Sequence, residues 1–407
     1  MSLLDRFFSK TVSREDFAKL VIKALEGRGA SDVQFDPEDF SVRVGSLDNT
    51  LYLSNAFTDY TSAEKQERDT VILRYVTSFT TPRNSPRTYA EALPNLMPVV
   101  RDPAYYALSS LMIRAKGGDP ANLKTSPIPI AQSLVGSLAI DSAEAISYAS
   151  DSTLKEWNVT LADAFPKALE NLRDRSPFDA LKQVAPGLFL GEWGDSYESA
   201  RILLPDLLHR LSLNGDPLVF IPNRNELWVT GQYDTANIGA ILKFAEESHF
   251  SRGHSLSPNL YVRANDAWKL HIPEDPVQRK QWEEIKYKRE ATDYEQQKGY
   301  LDSMFKLEKR DIFVAPYKVY RQDDGQLFSR CIWSTGVDTL LPKTDRVVLG
   351  IDLQKKTVRE VFWDSLAAVV GDLMELEADP AFYPVRYRVQ KFPDEAQLAQ
   401  LAGAANS

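Results

Sequence analysis

The chain has 407 residues, 43% of them hydrophobic and 26% charged, with a formal net charge of -9. That length predicts two or three domains, and the composition excludes wholesale disorder. The acidic balance argues against broad nucleic-acid binding, which needs a positive surface to displace counterions. One cysteine, Cys331, excludes an intrachain disulfide and a cysteine-ligated zinc site.

The first ten residues are interrupted by Asp5 and Arg6 and do not read as a secretory leader. Leu3, Leu4, Phe7 and Phe8 are expected to pack on the protein itself. No run approaches the roughly 18 apolar residues of a membrane helix. A single unpaired thiol then points to a reducing, cytoplasmic location.

Ser13 followed by Asp16 resembles a capping box, and Phe17, Leu20, Val21, Ala24 and Leu25 share one helical face. Short strands are predicted at 33–35, 40–44 and 51–53, then a helix from Ser62 carrying Ile72 and Val76 inward. Leu96 to Arg101 reads as an apolar strand, and Pro103 to Ala115 as a helix. Thr160 with Asp163 marks another helix start, with Pro166 in its early turns. The next block predicts a strand at 187–191 and a helix from Tyr197 to Leu213, kinked at Pro205. Strands follow around the turn 222–226, then a helix from Thr235 and a hairpin around Asn265-Asp266.

From Asp275 to Asp311 the chain carries many charges and a thin apolar stripe of Trp282, Ile285, Tyr294 and Leu301. This predicts a long helix or helix pair acting as a solvated connector. Strands then recur, with Asp323-Asp324-Gly325 as a hairpin turn. A helix is predicted from Trp363 to Leu376 and a closing strand from Val385 to Val389. The expected fold class is α+β, mixing helices with short antiparallel strands. Its units are an N-terminal α/β segment (1–90), an α+β domain (91–274), a charged helical connector (275–311), a smaller β-rich C-terminal domain (312–393) and a frayed tail (394–407).

The run Gly194-Asp195-Ser196-Tyr197-Glu198-Ser199-Ala200-Arg201-Ile202-Leu203 is similar to one in YtpQ-like bacterial proteins. The following Gly215-Asp216 pair and the two strands around Asn223-Arg224-Asn225 fit the same pattern. Weaker matches lie at 97–101 and 168–173, so the resemblance spans roughly residues 13–272. Glu198 departs from it, because the family shows a small residue or Asp there. The resemblance implies a domain of unknown function, with no catalytic residues to carry over.

Gly194-Asp195-Ser196 superficially resembles the nucleophile block of GDS-type esterases, which needs a histidine to take the serine proton. Capping a helix is the plainer role for Asp195 or Ser196. His249 and His254, five apart, do not share a helix face and make a poor metal pair. Phosphate-loop, dinucleotide and His-Glu-x-x-His motifs are absent, so no cofactor is expected. Arg201, in an apolar context, calls for a carboxylate from Asp195, Asp206 or Glu226. Asp195, Tyr197, Arg201, Arg224 and Trp228 are the candidate ligand-binding residues; no catalytic or metal-ligating residue is assigned. The expected function is a non-enzymatic binding or adaptor protein, with a protein partner on the connector and C-terminal domain. The alternative is a hydrolase with an unfamiliar site around Asp195–Arg224. A nucleic-acid contact through Arg386, Arg388 and Lys391 is disfavoured by the acidic charge.

Overall fold

The computed structural model describes residues 12–45, 49–80, 86–121, 124–142, 146–248, 255–352, 354–355 and 357–404. Leu3, Leu4, Phe7 and Phe8, and the pair His249 and His254, lie outside the described residues. The fold is mixed α+β, built from several small sheets with helices packed on them.

The N-terminal unit opens with α1 (Arg14–Glu26), whose first turn is capped by Ser13, accepting from the Asp16 amide at 3.0 Å. Gly29, at φ 88°, supplies the left-handed residue that turns the chain out of the helix. Antiparallel strands β1 (Val33–Asp36), β2 (Ser41–Val44) and β3 (Asn49–Tyr52) follow. The sequence reading missed α2 (Ser54–Ser62), so the predicted single helix is a pair completed by α3 (Arg68–Thr80). Phe17, Val21, Val42, Ala56, Ile72 and Val76 close this unit's own core.

The middle unit stacks two sheets. After the short α4 (Tyr89–Ala92), β4 (Leu96–Arg101) leads into α5 (Pro103–Ala115), capped by Asp102. Strands β5 (Ile128–Ala131), β6 (Leu134–Asp141) and β7 (Ile146–Tyr148) complete the first sheet. It is backed by α6 (Asp151–Glu156) and by α7 (Leu161–Asp174), which starts at the Thr160 cap and runs through Pro166. The second sheet contains β8 (Leu181–Ala185) and β9 (Leu188–Gly191), then, after α8 (Pro205–Leu208), β10 (Pro217–Phe220) and β11 (Trp228–Gly231). After α9 (Thr235–Ser248), β12 (Leu260–Ala264) and β13 (Ala267–His271) finish it as the predicted hairpin. Its order is β13-β12-β10-β11-β9-β8, antiparallel throughout.

Alternate residues of this second sheet face opposite cores. Val219, Val229 and Tyr261 point to the first sheet, whereas Leu218, Phe220 and Leu260 point to α9. The predicted helix from Tyr197 to Leu213 does not form. A 3-10 helix at Glu198–Leu203 stops before Pro205, and α8 then adds only one turn. Pro205 has no N–H to donate and disfavours helical geometry in Leu204, which takes φ -112° and ψ 69°.

The charged segment is one helix, α10 (Pro276–Leu307), about 48 Å long at 1.5 Å per residue. It is no solvated connector. Trp282 and Ile285 enter the core under the second sheet, and Leu301, Met304 and Phe305 pack with Leu111 of α5 and with Leu340 and Phe382. The four predicted stripe residues are all buried, because three separate neighbours use one thin face in succession.

The C-terminal unit contains β14 (Phe313–Val314), β15 (Lys318–Arg321), β16 (Leu327–Ser334), β17 (Thr339–Pro342), β18 (Arg346–Asp352) and β19 (Thr357–Phe362). Next come α11 (Trp363–Val370), β20 (Glu375–Leu376), β21 (Arg386–Val389) and α12 (Glu395–Ala404). The sheets run β15-β16-β18-β19 and β14-β17-β21-β20, and each has one parallel pair. α11 ends earlier than predicted, where Gly371 begins a 3-10 turn. In place of a frayed tail, α12 brings Leu401, fully buried, against the core of Trp333, Leu366 and Val370. Among the described residues, no helix is long and apolar enough to cross a membrane.

Candidate functional site

The sequence candidates fall into two neighbourhoods of opposite character. The first is the loop before the 3-10 helix. Gly194 and Ser196 both take positive φ (69° and 68°), which folds the loop tightly and aims Asp195 inward. The Asp195 carboxylate accepts from the Tyr197 amide at 3.0 Å and grips Arg201 bidentately at 2.9 and 2.7 Å. The Arg201 side chain has no solvent exposure. Its Nε donates to Ser176 at 2.9 Å and a terminal nitrogen donates to the Arg175 carbonyl at 2.8 Å, so four of its five N–H groups are engaged. Trp193 lies over the guanidinium at 4.1 Å. The Gly194 amide donates to Glu198, whose burial raises its carboxyl pKa. Asp195 and Arg201 therefore spend their charges on each other and hold nothing for a ligand. Among the described residues, no histidine bonds Ser196, so the esterase-like pairing is not formed there.

The second neighbourhood is centred on Arg101, which sequence reading left as an ordinary strand end. Both faces of β4 are apolar and buried, so the arginine that ends it is drawn inside; only 7% of Arg101 is exposed. Its Nε donates to the Tyr148 hydroxyl at 2.8 Å, and a terminal nitrogen donates to the Val100 carbonyl at 2.7 Å. The guanidinium lies 5.5 Å from the Tyr148 ring and 5.9 Å from that of Tyr105, and Tyr106 packs edge-on against both tyrosines. Burial disfavours the cation, but Tyr148, Tyr106 and Tyr105 more than offset it, and the pKa lies above its ordinary value. Burial also pushes the Tyr106 hydroxyl up to about 12. No carboxylate pairs with Arg101 among the described residues.

Arg224, close enough to feel the Arg101 charge, stands on the turn between β10 and β11, and the Arg224 carbonyl accepts from the Ser199 amide. Its side chain makes no hydrogen bond or ion pair among the described residues, and its buried Nε is unpartnered. Burial, then the charge of Arg101, lowers its pKa below the ordinary value, against Tyr75, Tyr148 and Asp59. Asp59, the nearby carboxylate, is already held by Arg74 at 2.6 Å and Tyr75 at 2.7 Å. Tyr75 and Asp59 belong to the N-terminal unit, so Arg224 is influenced by charges of both units. The buried Tyr197 hydroxyl also lacks a partner among the described residues.

Immediately after Arg101 the polarity reverses. Asp102 caps α5 by accepting from the Ala104 amide at 2.8 Å. It also faces Arg289 of α10 at 3.6 Å, and Arg289 holds Asp293 at 2.8 Å. Two buried carboxylates thus share one cation. Burial, opposed by Arg289 and helped by Asp293, pushes the Asp102 carboxyl up to about 7.

Trp228 does not join either group. It lies on the opposite face of the sheet from Tyr197, against Phe244 of α9 at 5.0 Å, and donates to Glu226 at 3.2 Å. Arg386 and Arg388 are no phosphate-facing pair. Arg386 is fully buried and bonded to Gln297 and to the carbonyls of Ala315 and Leu340, and Arg388 is held bidentately by Asp338. Among the described residues, no cluster of three or more His, Cys, Asp or Glu is placed to hold a metal ion. The signal that could have found Arg101 is its position: an arginine that continues a fully apolar strand and is followed at once by the helix start Asp102-Pro103.

Comparison with protein-family models, with curated proteins and with solved structures gave no match to this chain.

Proposed function

We propose that the chain is a cytosolic, non-catalytic binding protein of adaptor type, which takes an anionic group at the Arg101–Arg224 recess. The observation that carries this reading is the half-buried Arg224 side chain, whose buried Nε has no partner among the described residues and whose charge that of Arg101 opposes. A buried charge is costly unless paired, and perturbed ionisable groups of this kind concentrate at functional sites. An anion would supply the missing partner. The likeness to YtpQ-like proteins is part of the proposal; the run that carries it contains the Asp195–Arg201 pair.

The test is a thermal-shift and calorimetric titration with inorganic phosphate and sulfate at millimolar concentration. Both are expected to raise the unfolding midpoint of the wild-type chain and to leave that of Arg224→Gln unmoved. Equal shifts in the two proteins would overturn the reading. For the adaptor role, the outer face of β15-β16-β18-β19 is the surface we assign to a protein partner. Ile332, Val358 and Phe362 are exposed there, and Arg330 and Arg346 lie over the Tyr320 and Phe328 rings. A Val358→Asp, Phe362→Asp variant is expected to lose any partner that the wild-type chain captures.

A further inference from the structure

The outer face of the sheet β15-β16-β18-β19 carries a charge arrangement that the fold alone does not call for. Resting on the reading of that face as a partner surface, we infer that its partner is an acidic protein segment, one that sets carboxylates around an apolar anchor.

The strand ladder places the charges. Residues directly opposite one another on neighbouring strands share a face. Lys318 stands opposite Arg330, Arg330 opposite Arg346, and Arg346 opposite Phe362. Three cations thus form one row across the sheet. The other face of the same strands sends Cys331, Trp333, Val347 and Val361 into the core. Like charges directly opposite one another destabilise a sheet, and here they gather on a chain whose net charge is -9. Glu360, in a neighbouring row, accepts from Arg330 at 3.0 Å and from Arg346 at 2.8 Å. Burial opposes its charge, but the two arginines more than offset this and hold its carboxyl below the ordinary value. Three cations less one carboxylate leave two positive charges on this row for a partner to meet.

The two arginines are also held ready. Arg330 lies over the Tyr320 ring at 4.0 Å, and Arg346 over that of Phe328 at 4.2 Å. Side chains already restricted in this way lose less entropy when they bind a carboxylate. Among the described residues, Arg346 spends one N–H group on Glu360, and four remain.

The apolar half lies beside the charged one. Ile332 is opposite Val348, and Val358 and Phe362 of the edge strand β19 are 62% and 52% exposed. Exposed apolar side chains among arginines and aromatic rings mark an interaction site. A single-stranded nucleic acid would also meet the charge, but its bases stack on open rings. Here guanidinium groups already lie over Tyr320 and Phe328, and Glu360 stands among the cations. The net charge of -9 further repels a polyanion. A segment with a few carboxylates around an apolar side chain matches both halves of the face.

The experiment is selection of short displayed random peptides on the full chain, followed by anisotropy titration of the enriched peptides. Peptides that set Asp or Glu around an aliphatic or aromatic residue are expected to be enriched. The Arg330→Gln, Arg346→Gln double variant should bind them at least ~10-fold more weakly, a gap of about 1.4 kcal/mol or more. Glu360→Gln, which frees both arginines, should bind them more tightly, a gain that impaired folding cannot produce; weaker binding there would overturn the inference. Enrichment without acidic bias, still abolished by Val358→Asp, Phe362→Asp, would overturn the acidic assignment and leave the partner surface standing. No enrichment, or enrichment that none of these variants alters, would overturn both. Salt-sensitive binding of an oligothymidylate, lost in the arginine variant, would assign the face to nucleic acid instead. Self-association of the wild-type chain, lost in that variant, would assign it to a second copy; either result overturns the inference.

Discussion

Arg201 and Arg224 are both drawn into the middle unit, yet they have opposite fates. Arg201 is saturated by Asp195, Ser176 and the Arg175 carbonyl, with an indole stacked on it. Arg224 touches no acceptor and is pressed by a second cation. Arg386 in the C-terminal unit is an intermediate case. Among the described residues it has no carboxylate, but Gln297 and three backbone carbonyls solvate it, and burial pulls its pKa down to about 10. Burial alone therefore does not mark a functional arginine. The distinguishing feature is what the surroundings leave unsatisfied, because a charge buried for architecture is given its partners by the fold.

This contrast is easiest to break at its strongest member. Asp195→Ala strands the fully buried Arg201 cation and should cost about 3–5 kcal/mol in a chemical-denaturation titration. A loss below ~1 kcal/mol would show that the latch is not a structural element. Arg386→Met comes next. It removes a buried charge but strips the Gln297 oxygen and the Ala315, Leu340 and Tyr294 carbonyls of a donor, so a loss of about 1–3 kcal/mol is expected in the same titration.

A smaller effect tests Asp102, the anionic counterpart of the recess. Its carboxyl lies near 7 in the folded protein against 3.8 ordinarily, so the folded state holds the proton more tightly than the unfolded state. That contribution is complete below about pH 4 and is lost as pH rises through about 7. Asp102→Asn keeps the acceptor for the Ala104 amide and should flatten the fall in stability across that window. An unchanged pH profile would mean that the Asp102–Arg289–Asp293 group does not titrate there. The smallest effect sharpens the contrast from the other side. Arg224→Met should stabilise the ligand-free chain slightly, by up to about 0.5 kcal/mol, since it removes a half-buried cation whose Nε is unpartnered. Any loss comparable to that of Arg386→Met would place Arg224 with the structural arginines.

The structure also bears on how the chain can be divided. Cutting at 275 would remove Trp282 and Ile285 from the core beneath the second sheet, so such a truncation damages the middle unit itself. A cut after α10 is the cleaner division. It still uncovers Met304 and Phe305 where they meet Leu340 and Phe382.

Local chemistry was legible in the sequence wherever the cause was local. The Ser13 and Thr160 caps, the Asn265-Asp266 hairpin and the helical character of the charged segment follow from hydrogen bonds and backbone preferences within a few residues. The Asp195–Arg201 pair was also within reach, because six residues separate the partners and one of them sits in an apolar run. What lay beyond the sequence was decided by neighbours far along the chain. The thin stripe on α10 reads as solvated until α5, α9 and the C-terminal sheet each cover a part of it. α12 looks like a frayed tail until Leu401 meets Trp333. Arg101 looks like the end of a strand until Tyr148, 47 residues later, is folded against it. Those placements set which charges are buried and which are left without partners. A buried charge without a partner is a property of a packed environment, and only the tertiary structure creates it.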